Sequence, residues 1–149
     1  MRGRLHELTA LLDTDPTLVH RHYPELDCGS TGTRMLLLEG GTLLHVAAEF
    51  CSLDAARLLL DHGADPNAAA TPRGQTPIFH SATQNDDRGL AVTQLLIDRG
   101  ADLSIRVKLP GYYERPDEIV DCTPLGYAVQ FPGTQEKTIA LLRDRGGVE

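Results

Sequence analysis

The chain has 149 residues, enough for one domain with a buried core. Its 21 acidic and 14 basic residues give a formal net charge of −7, which argues against nucleic acid or an anionic membrane as the main partner. Cys28, Cys51 and Cys122 are far apart and odd in number, which is no disulfide framework and suits a reducing cytoplasm, and no stretch approaches the roughly 20 apolar residues of a membrane span.

The first element runs from Gly3 to Leu12, where Leu5, Leu8, Leu11 and Leu12 fall on one face of a helix. A long connection follows, roughly residues 19–41. It holds His20-Arg21-His22 and Cys28, which are metal-ligand residue types, but no fourth ligand accompanies them. A polar loop is the expectation, with no metal site and no cofactor. Met35-Leu36-Leu37-Leu38-Glu39 before Gly40-Gly41 suggests an enlarged turn, as a strand or hairpin.

Next come Thr42-Leu43-Leu44-His45-Val46-Ala47-Ala48 and, further on, Leu58-Leu59-Leu60-Asp61-His62-Gly63-Ala64-Asp65-Pro66-Asn67. The same start returns as Thr76-Pro77-Ile78-Phe79-His80-Ser81-Ala82 and Thr123-Pro124-Leu125-Gly126-Tyr127-Ala128-Val129. The same ending returns as Leu95-Leu96-Ile97-Asp98-Arg99-Gly100-Ala101-Asp102 and Leu141-Leu142-Arg143-Asp144-Arg145-Gly146. Each threonine sits where a helix begins and its hydroxyl can accept from a first-turn N–H. Pro77 and Pro124 occupy the first helical position, where a missing N–H costs nothing. Gly63, Gly100 and Gly146 then end the second helix of each pair in a left-handed conformation. Between the second and third units, Val107-Lys108-Leu109-Pro110-Gly111 and Ile119-Val120 predict a lengthened β-finger with Tyr112, Tyr113 and Arg115 near its tip. Asn85–Gly89 and Phe131–Gln135 lengthen two helix–helix turns, with Phe131 half buried.

Two matched ends in one order, three times over, mark a solenoid whose units bury apolar faces on one another. The residues resemble the ankyrin repeat, a turn and two helices with a T-P-L-H-x-A start. Thr42 and Thr76 lie 34 residues apart, near one period, while Thr76 and Thr123 lie 47 apart because of the finger. The resemblance implies an all-α ankyrin solenoid with β-turn fingers, as a single domain over 1–149. Residues 1–40 are a degenerate N-terminal repeat and long connection, followed by repeats 41–73, 74–120 (with the extended finger) and 121–149. No inner helix precedes Gly3–Leu12, so either the first repeat is half missing or the chain is a fragment of a longer array.

The resemblance also implies that His45 ties neighbouring turns by hydrogen bonds, and that Phe79 and Gly126 at its position do not. Cys51 stands where the family has glycine; a positive φ would strain it, and the expectation is that the turn adjusts around a small buried cysteine. His45, Cys51 and Asp54 hold nucleophile chemistry in principle. The first two belong to the repeat scaffold, and no phosphate loop or nucleophile elbow accompanies them, so no enzyme and no catalytic residues are expected. Ankyrin proteins usually dock partners on the concave side formed by fingers and inner helices. Carried over by position, this implies a non-catalytic protein-interaction module with partner contacts at Glu49, Phe50, Thr83, Gln84, Tyr112, Tyr113, Arg115 and Phe131. The alternatives are an inhibitor or immunity-type protein that blocks an enzyme, and a structural piece of a longer array. The partner is another protein, with self-association through an uncovered N-terminal repeat as a second contact.

Overall fold

The computed structural model describes residues 2–24, 38–111, 117–131 and 135–149. Helices fall in the order α1 (Arg2–Thr14), α2 (Leu43–Glu49), α3 (Leu53–Asp61), α4 (Pro77–Ala82), α5 (Leu90–Asp98), α6 (Pro124–Ala128) and α7 (Glu136–Asp144). Short 3-10 turns at Pro16–Val19 and Asn85–Asp87 follow α1 and α4. Inner helices α2, α4 and α6 pack side by side, and α1, α3, α5 and α7 form the outer row. The core lies between the rows and is lined by Leu44, Leu59, Ile78, Phe79, Leu96, Leu125, Tyr127 and Leu142. This is the all-α solenoid the repeated segments predict. Among the described residues no helix is long and apolar enough to cross a membrane.

Helix starts use the expected residues with varied chemistry. The Thr123 hydroxyl accepts from the Gly126 N–H at 3.0 Å. At Thr42 the backbone N–H instead donates to Nδ1 of His45 at 3.0 Å. The Thr76 hydroxyl makes no cap bond, and Pro77 sets the first turn there by itself.

The ends of α3, α5 and α7 are uniform. Gly63, Gly100 and Gly146 have φ of 87°, 91° and 86°. Beside each, a pair of bonds closes the turn, as in Gly63 N–H to Leu60 C=O (3.1 Å) and Ala64 N–H to Leu59 C=O (2.9 Å). The end of α2 repeats that pair, with Cys51 N–H to Ala48 C=O (3.2 Å) and Ser52 N–H to Ala47 C=O (2.9 Å). Cys51 therefore takes φ 54° and is only half buried, contrary to the expectation that the turn adjusts. The bond pair fixes the left-handed backbone whatever side chain stands there, so the cysteine takes the strain.

The finger forms as an antiparallel pair, β1 (Val107–Pro110) and β2 (Ile119–Cys122), with Leu109 opposite Val120. Leu109 is buried, and the Pro110 carbonyl lies 3.4 Å from the Tyr127 hydroxyl, which donates to it. The base of the finger thus lies over α6. Arg106 holds the outer edge, donating to the Asp121 carboxylate (2.9 Å) and carbonyl (3.0 Å).

The predicted helix face at the N-terminus is only partly right. Leu12 is buried and Leu5 and Leu8 half buried, but Leu11 is 58% exposed. Leu11 holds the place of Leu59, Leu96 and Leu142, which the other outer helices bury. Those helices each pack on an inner helix; among the described residues none precedes α1. Of the strand or hairpin anticipated at residues 35–39, residues 35–37 lie outside the described residues, while Leu38 is in no strand and Glu39 and Gly40 form a turn.

Candidate interaction surface

The C-terminal ends of α2 and α4 meet in one strip. Glu49 ends α2, and its carboxylate Oε2 accepts from Nδ1 of His80 on α4 at 2.8 Å. The Glu49 backbone carbonyl accepts from the Gln84 side-chain amide at 2.9 Å, and the same amide reaches the His80 carbonyl at 3.0 Å. Two bonds therefore fasten the end of α2 to α4 and hold the Glu49 side chain in place. Phe50 follows directly and is 52% exposed, a large aromatic standing out of the strip.

Other proposed contacts have different settings. Thr83 is 2% exposed and donates its hydroxyl to the Phe79 carbonyl at 3.0 Å; Gln84 is 6% exposed. Both spend their polar atoms inside the stack. Phe131 is half buried, as expected, with its ring edge-on to Tyr127 at 5.0 Å. Tyr112, Tyr113 and Arg115 lie outside the described residues. The structure thus brings Glu49, Phe50 and Gln84 together at the α2–α4 edge and sets Phe131 with Tyr127 on α6.

Behind the strip, His45 makes the tie the repeat pattern implies. Its Nδ1 accepts from the Thr42 N–H, so the ring is neutral and Nε2 carries the proton that goes to the Gln75 carbonyl at 3.0 Å. Burial, and then the neighbouring His80 ring at 5.6 Å, push its pKa down from 6.5 to about 3. A buried imidazole with both nitrogens engaged is scaffold, not an exposed base. At the equivalent place in the last repeat stands Gly126, where a Cβ would sit 3.3 Å from the Glu149 carbonyl carbon, a tight contact. There the Thr123 hydroxyl donates to the Val148 carbonyl instead. His22, from the H-x-H pair, turns Nδ1 to the Gly40 carbonyl at 2.8 Å, while Cys28 lies outside the described residues.

The Glu49–His80 pair escaped sequence reasoning, although a signal was present. In the repeat alignment His80 stands at the place of Val46, one turn before Glu49, and adjacent inner helices bring such positions face to face.

A family model described as Ankyrin repeats (3 copies) matches residues 7–107, well over half of the chain. The chain belongs to the ankyrin-repeat family. It is 42% identical over 64 residues to an ankyrin repeat protein of Acanthamoeba polyphaga mimivirus, a match over 43% of this chain and 8% of the relative. It is 33% identical over 109 residues to a BTB/POZ domain and ankyrin repeat-containing protein of Lupinus luteus, covering 68% and 22%. It is 34% identical over 79 residues to the B-cell lymphoma 3 protein homolog of Mus musculus, covering 53% and 17%. The chain spans less than a quarter of the length of these relatives. Ankyrin repeats generally serve as protein–protein interaction modules and are typically non-catalytic.

Proposed function

We propose that this ankyrin stack recognises a protein partner without catalysis, through the concave side made by the inner-helix ends and the fingers. The exposure of Phe50 carries this reading: a large aromatic at the end of an inner helix, beside a carboxylate that His80 holds still. Exposed aromatics of this kind serve as interface anchors. Tyr112, Tyr113 and Arg115, on the finger whose base lies over α6, supply the second contact. Thr83, Gln84 and Phe131 support that surface from within, through the bonds and the ring contact described above. The buried, unoxidised thiol of Cys122 suits a cytoplasmic setting.

The test is an affinity pull-down from native lysate with the wild-type chain beside a Phe50→Ala/Tyr112→Ala/Tyr113→Ala version. A protein retained by the first and lost by the second is the expected outcome. A protein held equally by both would overturn the surface, and retention of none by the wild type would overturn the recognition reading. A second reading, self-association through α1, rests on the exposed Leu11. A monomer in light scattering at high concentration, unchanged by Leu11→Ser, would remove it.

A further inference from the structure

The outer row carries a ladder of cross-repeat ion pairs at equivalent positions. Arg99 reaches back to Asp61 (2.7 Å), and Arg145 reaches back to Asp98 (3.2 Å). Each cation stands just before the helix-ending glycine and meets the aspartate one place earlier in the preceding unit. The first rung has the same geometry with a different residue: His62 Nε2 lies 3.4 Å from Oδ1 of Asp13 on α1. We propose that this histidine rung makes the docking of α1 on α3 pH-dependent, tight when His62 is cationic and looser when it is neutral, while the two arginine rungs stay fixed.

The partners of the ring require this. His62 Nδ1 lies 2.8 Å from the Leu58 carbonyl, and Nε2 faces the Asp13 carboxylate. Both are acceptors only, and a neutral imidazole has one N–H. Just one contact survives in the neutral ring; the cation makes both. Other charges packed around α3 act in the same sense or are engaged elsewhere. Asp61, adjacent on α3, also favours the cation, with Arg99 from the α5 end drawn onto its carboxylate. From α2, His45 is bonded to Thr42 and Gln75, and Glu49 to His80. In keeping with this geometry the His62 pKa is raised above 6.5, first by the Leu58 carbonyl and then by Asp13.

The sign follows from linkage. A raised folded-state pKa means that the rung holds fully below about 6.5 and is lost as pH rises through the folded value. The rung matters for α1 because, among the described residues, its main element contacts are one outer helix and its own 3-10 turn, with Leu12 as its buried anchor and Leu11 in solvent. Loosening is therefore expected to be local, with α4 unaffected.

Amide hydrogen exchange of the α1 segment tests this on the full chain, at pH 5.5 and 8.0, corrected for intrinsic exchange and referred to α4. Wild-type α1 protection should fall roughly two- to fivefold at the higher pH, the range of an exposed ion pair. His62→Arg should keep α1 protected at both pH values, and Asp13→Asn should remove the pH dependence. A His62→Arg chain that follows the wild-type profile would overturn the proposal. So would an Asp13→Asn chain in which the His62 ring, followed by NMR, titrates at the wild-type pKa. Neither readout depends on a partner.

Discussion

The two junctions between inner helices are built from opposite chemistry. Between α2 and α4 the contacts are polar: the His45 bond to Gln75, the Glu49–His80 pair and the Gln84 amide on the Glu49 carbonyl. Between α4 and α6 the contact is aromatic, with Phe79 and Tyr127 at 6.2 Å, and Phe131 of the same repeat backs the Tyr127 ring at 5.0 Å. One repeat pattern thus accepts either solution at the same positions. The polar junction depends on every donor meeting an acceptor and responds to pH. The aromatic junction depends on filled volume and does not.

Substitutions can break or sharpen that contrast. The largest effect is expected for Tyr127→Ala, at about 3–5 kcal/mol in urea unfolding, because it empties the aromatic junction and uncovers the finger base. Tyr127→Phe should cost less than about 1 kcal/mol, since the ring and not the 3.4 Å hydroxyl contact fills the space. A large loss with phenylalanine would make that junction polar too. At the other junction, His45→Phe should cost about 1–3 kcal/mol despite its size, because the buried Thr42 N–H loses its partner, while the Gln75 carbonyl keeps the Ala70 N–H.

Acid supplies the next contrast. The His45 pKa of about 3 lies below its ordinary 6.5, so between those values the unfolded chain binds the extra proton. Stability is then complete above about 6.5 and falls as pH drops toward 3, by up to about 1.4 kcal/mol per pH unit. Unfolding curves across that window should show a flatter slope in His45→Phe. Equal slopes in both chains would remove His45 as the cause.

The smaller effects concern the end of α2. Cys51→Gly should stabilise by about 1 kcal/mol, by relieving the left-handed backbone at φ 54°. Destabilisation there would mean that the cysteine side chain contributes more packing than its backbone strain costs. Phe50→Ala should leave stability within about 0.5 kcal/mol, as an exposed residue. In partner binding it should cost on the order of 2 kcal/mol.

Helix starts, helix ends, the finger strands and the His45 tie were all legible in the chain, because caps, glycines and repeat spacing act over a few residues. Cys51 was misread because the side chain argues for one backbone and the bond pair at Ala47 and Ala48 imposes another. The strip at the ends of α2 and α4 was half legible. Motif position placed Glu49, Phe50, Thr83 and Gln84 near one another, yet it did not tell which side chains point outward and which bond inward.

By itself, then, the sequence determined the architecture: local signals repeated at a fixed spacing leave one way to stack, since each unit can bury its apolar face only on the next. Tertiary structure decided the exposures and the pairings. Thr83 and Phe50 stand in near-equivalent places, and only the neighbour packed against each makes one a buried donor and the other a solvent-facing ring. His45 and His62 are the same residue type with opposite preferences. The first meets a donor and a carbonyl in the core and stays neutral; the second meets two acceptors at the surface and favours its charge.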